Sequence, residues 1–118
     1  MPQRHSRMVD GRRHVWLTEE LWKLAADLPP FDLPVEDVVE LDWNCWFDDD
    51  DPPTIRAVAE HARRIQDASL EHPIVLNADG QLMDGGHRLA KALLLGHATI
   101  RAVRFEATPP PHEVLDPS

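Results

Sequence analysis

The sequence predicts one small α+β domain, in which a mixed sheet packs against helices. Three observations lead to this prediction: a length of 118 residues, short apolar runs bounded by turn residues, and helically spaced apolar residues between them. A chain of this length has room for one domain with its own core. Hydrophobic residues make up 42% and charged residues 28%, as is ordinary for a globular protein.

The N-terminal part is expected to contain little regular structure before residue 14. Residues 1–13 are polar and Arg-rich, which predicts a flexible arm ahead of a domain that spans residues 14–106. A short strand at residues 14–17 leads to Thr18, the expected N-cap of a helix that Pro29 ends. Alternating apolar residues from Phe31 onward then indicate a strand.

The clearest amphipathic helix is predicted over residues 54–68. Its core-facing stripe is expected to contain Ile55, Val58, Ala59, Ala62 and Ile65. His61 lies beside this stripe and is interpreted as a boundary residue, although it could also face a site. The acidic run at residues 48–51 precedes Pro52, so it is interpreted as a helix start rather than a metal site.

The second half of the chain reads as strand, turn, strand, helix and strand. The predicted elements are a strand at 73–77, a turn at 77–80, a strand at 81–83, a helix at 86–95 and a strand at 99–105. The helix is apolar almost all round and is expected to be buried, with Gly96 as its C-terminal cap. Residues 107–118 are predicted to be a Pro-rich tail, disordered or extended.

The charge and the cysteine count exclude several function classes. A net charge of −9 argues against a general nucleic-acid binder, which needs clustered Lys and Arg. Cys45 is the only cysteine, so neither an internal disulfide nor a Cys-based zinc site is expected, and a reduced, cytoplasmic setting fits best. No apolar run approaches the ~18 residues of a membrane span, and no membrane partner is expected.

The stretch from Asp84 to Arg88 is the candidate site, because it lies between a strand and a helix. The first N–H groups of a helix lack partners, and the helix dipole adds positive potential there. Gly85 and Gly86 have no Cβ, so a phosphate could approach the backbone closely. Arg88 could bind phosphate oxygens, and His87 could donate a hydrogen bond or carry a proton.

Each of these residues also has a purely structural explanation. Asp84 could hold a ribose or a hydrated magnesium ion. Its structural explanation is that it simply caps the helix. The glycines could form a tight turn, His87 could be structural, and Arg88 could pair with a carboxylate. Taken singly, each residue is better explained by its structural role. Taken together, the residues place an anion site on an equal footing with that explanation and leave both interpretations open.

A family resemblance extends this argument. The motifs that carry it are Pro73-Ile74-Val75-Leu76, a turn with Asp79-Gly80, and Met83-Asp84-Gly85-Gly86-His87-Arg88 followed by Ala92, Leu95 and Gly96. This order resembles the ParB/sulfiredoxin superfamily over residues 31–106. The resemblance implies a nucleotide-binding fold, since ParB-type partition proteins bind CTP, sulfiredoxins use ATP and a branch of free serine kinases uses ADP. It implies that Gly85, Gly86, His87 and Arg88 contact phosphates.

The chain departs from the family at the position that carries its chemistry. Gly86 stands where sulfiredoxins have the catalytic cysteine and where ParB proteins have a glutamate, so sulfinic-acid reduction and CTP hydrolysis are not expected. A nucleoside di- or triphosphate with magnesium is the expected ligand, and a phosphotransferase and an NTPase both stay open. The alternative is a catalytically inactive protein-interaction module, with a homodimer or a protein partner. DNA binding is disfavoured, since there is no length for a DNA-binding domain.

Two other groups of side chains, one acidic and one aromatic, are candidates for a functional role. A general base could come from an acidic segment that is otherwise a solvated face; its members are Glu36, Asp37, Glu40 and Asp42. Trp43 and Trp46 could stack a base, but a role as core or interface anchors is the preferred explanation. The seven histidines show no zinc-site spacing, so no metal site is predicted.

Overall fold

Two small sheets and three helices form the fold in the computed structural model, which describes residues 4–116. The strands are β1 (Arg4–Val9), β2 (Arg12–Leu17), β3 (Phe31–Pro34), β4 (Ile74–Leu76), β5 (Leu82–Asp84), β6 (Thr99–Arg104) and β7 (Glu113–Leu115). The helices are α1 (Thr18–Ala25), α2 (Ile55–Asp67) and α3 (Gly86–Leu94), with short 3-10 turns at Val35–Asp37 and Val39–Asp42. The predicted α+β class is therefore confirmed.

The central sheet has the strand order β3-β6-β4-β5 and is mixed, because β4 is parallel to β6 while the other pairs are antiparallel. Successive strand residues point to opposite faces, and each face carries its own core. On one face Leu89 and Ala92 of α3 pack against Ile74. On the other, Leu21 and Ala25 of α1 pack with Val75 and other strand residues. All three residues of β4 are buried because helices cover both faces.

The second sheet, in the order β1-β2-β7, corrects the predictions for both ends of the chain. Residues 4–9 of the expected flexible arm form β1, which pairs with β2 through a turn at Asp10 and Gly11, both with positive φ. Side chains of β1 are alternately exposed and half-buried. Because its sequence is polar, the strand depends on backbone pairing that hydrophobic periodicity does not reveal. Residues 1–3 lie outside the described part of the chain.

The predicted Pro-rich tail is also tied to this sheet. Three of its residues form β7, which pairs with β2. The indole Nε1 of Trp16 donates to the Pro109 carbonyl at 2.9 Å, and the Leu17 N–H donates to Nδ1 of His112 at 3.1 Å. Prolines donate no hydrogen bond, but here their carbonyls and the following residues still anchor the segment. Residues 117–118 lie outside the described range.

Two helix predictions need correction. Thr18 is the first residue of α1 rather than its N-cap; Leu17 precedes the helix and no side chain caps it. Helix α3 is not buried all round, since Leu89 and Ala92 are buried whereas Leu93 and Leu94 at its end are exposed, Leu94 by 75%. One face of α3 covers the sheet, and α2 contacts another part of its surface. Gly96, with φ 77°, ends the helix as predicted.

Helix α2 begins as predicted, but the side of the helix that packs against the protein is not the predicted one. The Thr54 side chain accepts a hydrogen bond from the Ala57 N–H at 3.1 Å, as an N-cap does. The predicted core stripe is largely exposed, Ile55 by 92%. The half-buried side of the helix instead contains Ala57, His61 and Ile65. The apolar spacing identified the helix correctly but not the face that packs, because α2 lies over the edge of the domain and buries no residue fully.

Within residues 4–116, no helix combines the length and the apolar character that crossing a bilayer would require.

Candidate functional site

The turn between β5 and α3 has a conformation that requires glycine at its first position. Gly85 has φ 111° and ψ 22°, in the left-handed region that L side chains rarely adopt. A Cβ built there would lie 2.6 Å from Cγ2 of Ile74 and 3.0 Å from Nη2 of Arg88. Gly85 is therefore needed for the turn and for close packing, whether or not a ligand is bound.

Gly86 begins α3 and lies beneath an aromatic side chain. A Cβ at this position would lie 3.3 Å from the indole Nε1 of Trp46. The spaces beside both glycines are thus occupied by neighbouring side chains, whereas the sequence suggested that they were left open for a phosphate. What the turn offers an anion is the N-terminal end of α3, which has no side-chain cap.

Asp84 does not cap this helix, although the sequence allowed that role. Its Oδ2 accepts hydrogen bonds from Nη2 of Arg88 at 2.8 Å and from Nε1 of Trp22 at 2.6 Å. The Asp84 and Arg88 side chains are each only 14% exposed. Oδ2 is therefore engaged with two donors, whereas Oδ1 makes no hydrogen bond among the described residues.

Arg88 retains unused hydrogen-bonding capacity. Among residues 4–116, its guanidinium makes one hydrogen bond, to Asp84, and its buried Nε has no partner. A guanidinium has five N–H donors, so several remain for an acceptor outside the protein. Asp84 holds the group in one place and neutralises part of its charge, which orients it but weakens its field.

His87 forms a hydrogen bond with His61, the nitrogens Nε2 and Nδ1 lying 2.8 Å apart. The ring centroids are 5.0 Å apart, close to the greatest separation that such a short N···N distance permits. The imidazoles therefore lie edge to edge. The indole of Trp46 stacks on both, with centroid distances of 4.8 Å and interplanar angles of 13° to His61 and 10° to His87.

Both imidazoles are held in the neutral form near pH 7. Burial, followed by the neighbouring His61 and Arg64, lowers the pKa of His87 to about 4. Burial and Arg64 also lower the pKa of His61. In the neutral pair one ring donates and the other accepts. The facing nitrogens leave no room for a metal between them, and nowhere in residues 4–116 do three metal-ligating side chains come together.

A cavity of about 310 Å³ lies beside Gly86 and Trp46. Its walls are mainly aromatic and apolar, with Glu40 and Asn44 as polar members, and they include Trp43, Cys45, Phe47, Leu89 and Leu93. Cys45, distant from the turn in sequence, thus lies near it in space, but burial raises the pKa of its thiol, which disfavours the thiolate.

Of the acidic residues considered as a general base, Glu40 has a structural role. It is 7% exposed, and its Oε1 accepts a hydrogen bond from the Leu82 N–H at 2.9 Å and lies 3.6 Å from Nη2 of Arg7. Glu36, Asp37 and Asp42 are exposed. In the acidic run, Oδ1 of Asp48 accepts from the Asp51 N–H at 2.6 Å, forming a local turn ahead of α2.

The structure brings together residues that sequence reasoning treated separately. Asp84 to Arg88 are contiguous, but Trp22, Trp46 and His61 reach them from other elements. His61 is predicted to be a boundary residue, but in the structure it shares the half-buried side of α2 with Ala57 and Ile65. The apolar spacing of the helix gives no signal for this orientation, because it points to a different face. Comparison of the chain with protein-family models, with curated proteins and with solved structures found no match.

Proposed function

We propose that this chain is a cytoplasmic nucleotide-binding domain of the ParB/sulfiredoxin-like kind, which binds phosphate at the turn from Asp84 to Arg88. The observation that carries the proposal is the uncapped N-terminus of α3 with the partly unpaired guanidinium of Arg88 in its first turn. Free N–H groups, the helix dipole and an oriented guanidinium each favour a phosphate. The contacts would come from the backbone of Gly85 and Gly86 and from His87 and Arg88.

The cavity beside Gly86 supports a nucleotide rather than phosphate alone. Its aromatic residues, Trp43, Trp46 and Phe47, suit the flat face of a base. The ligand we propose is a nucleoside di- or triphosphate. Magnesium would be held mainly by the phosphates, because Oδ2 of Asp84 is engaged with Arg88 and Trp22 and the carboxylate has only Oδ1 left to offer.

Calorimetric titration with ATP, ADP and CTP in the presence of magnesium tests this proposal. We expect at least one to bind, and Arg88→Gln to weaken that binding by about 1.5–3 kcal/mol, the usual contribution of a hydrogen bond to a charged group. Arg63→Gln, on the exposed face of α2, is the matched control and leaves affinity unchanged. Absence of binding at millimolar nucleotide by a folded protein contradicts the proposal, as does an equal effect of both substitutions.

Turnover is a separate proposal, for which His87 would be only a weak proton acceptor. Its pKa is lowered to about 4, its Nε2 is bonded to His61, and Glu40 is paired with Arg7. An assay of phosphate release, with and without a hydroxyl-bearing acceptor, separates an NTPase from a phosphotransferase. If neither activity appears while nucleotide binds, the domain is a binding module.

Exposed apolar side chains favour a second candidate function, a protein-interaction module. Ile55 and Val58 on α2 and Leu94 on α3 present apolar surface to solvent. A homodimer or a protein partner would cover them. Sedimentation measured over a range of concentrations tests the homodimer: we expect a dimer that Ile55→Lys dissociates, and a monomer at every concentration excludes this form of the proposal.

A further inference from the structure

A second cavity, of about 420 Å³, lies where α1, its following loop and the central sheet meet. It shares no lining residue with the cavity beside Gly86. Its volume falls within the range of small-molecule sites, roughly 300–1,000 Å³. Its walls come from several elements and consist mainly of Trp22, Ala25, Ala26, Leu28, Val75 and Val103.

Arg88 is the charged side chain of a mainly apolar lining, to which His72 adds an imidazole. No Asp or Glu lines the cavity, although the chain as a whole has a net charge of −9. The Trp22 N–H is engaged with Asp84, so the indole contributes apolar surface. A ligand in this cavity would therefore meet hydrogen-bond donors that carry a positive charge.

The guanidinium of Arg88 indicates what such a ligand would carry. Among residues 4–116 only its Nη2 makes a hydrogen bond, to Asp84, while Nε lacks a partner but is buried out of a ligand's reach. The donors left for a ligand are therefore the remaining N–H groups of Nη1 and Nη2. A carboxylate matches a guanidinium in both charge and planar shape.

We propose that this cavity binds a small organic monocarboxylate with an apolar body. The carboxylate lies against Arg88, and the body fills the space between Trp22, Val75 and Val103. This proposal does not rest on nucleotide binding at the turn. The two proposed sites have Arg88 in common and otherwise use different residues.

Titration with 1-naphthoate, and with the neutral 1-naphthamide of nearly the same shape, tests the ligand class. We expect naphthoate to bind about 10- to 100-fold more tightly, as for a hydrogen bond to a charged group. In NMR spectra it should shift the Trp22 indole N–H and the Val103 methyls and leave the Trp46 indole N–H in place. Equal affinity of the two probes, no binding at millimolar concentration, or shifts at Trp46 rather than Trp22 overturns the proposal.

Ala26→Trp provides a test that leaves Arg88 unchanged. Ala26 lines the cavity and is exposed with right-handed helical φ and ψ, so a larger side chain fits its backbone and fills the space. We expect this variant to lose naphthoate binding and to keep any nucleotide binding. Ala59→Trp, on the exposed face of α2, is the matched control. Naphthoate binding that survives Ala26→Trp, or is lost equally in both variants, overturns the assignment.

Discussion

Nδ1 of His61 lies 2.8 Å from Nε2 of His87, and the indole of Trp46 covers both rings. This contact joins α2 to the N-terminus of α3, at the turn where the proposed phosphate site lies. Helix α2 buries no residue fully, so this contact and the hydrogen bonds from Lys91 to the carbonyls of Gln66 and Ala68 help to orient it against α3. The state of the pair should therefore affect both stability and the site.

Acidification should destabilise the protein through His87. Its pKa is about 4 in the folded protein, below its ordinary 6.5. Between these values the unfolded chain takes up the proton first, so this stabilisation is complete above about pH 6.5 and is lost as the pH falls to about 4. Besides His61, the charges facing His87 are Arg64, Asp84 and Arg88. Melting temperatures measured from pH 7 to pH 4 should fall, and less steeply for His87→Gln.

His5 should contribute to the same pH dependence from the other sheet. Burial, followed by Arg7, lowers its pKa to about 4. His5→Gln should therefore also reduce the slope, and the double variant should reduce it further. His97→Gln, an exposed position, is the control. A pH profile unchanged in both His5 and His87 variants contradicts this account.

Gly85→Ala should destabilise the fold far more than Gly96→Ala. Both glycines have positive φ, which costs an L residue about 1–2 kcal/mol. At Gly85 the new Cβ would also meet Ile74, an overpacking cost of about 1–3 kcal/mol, whereas nothing lies within 4 Å at Gly96. Urea denaturation measures both. If the two variants lose equal free energy of unfolding, the turn must be able to move away from β4 and make room for the new Cβ.

Glu40→Ala should lower the free energy of unfolding by about 1–3 kcal/mol, because it leaves the Leu82 N–H without its acceptor. The same carboxylate pairs with Arg7, so the change should also loosen β1. Faster amide exchange in β1 and β5 would show both effects. Glu36→Ala, an exposed neighbour, is the control, and similar exchange in the two variants contradicts the prediction.

Thr54→Ala should destabilise α2 by about 0.5–2 kcal/mol, the usual contribution of an N-cap. The Thr54 side chain accepts from the Ala57 N–H, and Thr54→Ser keeps the oxygen that does so. Amide exchange within α2 should therefore accelerate in the alanine variant and stay near the original rate in the serine variant. Acceleration in both would indicate that the methyl group, not the cap, matters.

The candidate site could be predicted only in part. The stretch from Asp84 to Arg88 was recognised from its glycines and its place between a strand and a helix. The contact between Asp84 and Arg88 was within reach of sequence reasoning, because the two residues are only four apart in the chain. The role of Trp46 and the inward orientation of His61 were not, because their partners lie on separate elements.

The sequence by itself determined the α+β class, the order of elements from β3 to β6, the presence of helix α2 and the end of α3 at Gly96. These features depend on neighbours a few residues away, through helical spacing, turn conformation and backbone hydrogen bonds. Only the tertiary structure decided that polar ends of the chain form a second sheet, which face of α2 packs, and that Trp22, Trp46 and His61 meet the turn. The physical reason is that these contacts join residues distant in sequence, and no local pattern encodes which distant surface a side chain will meet.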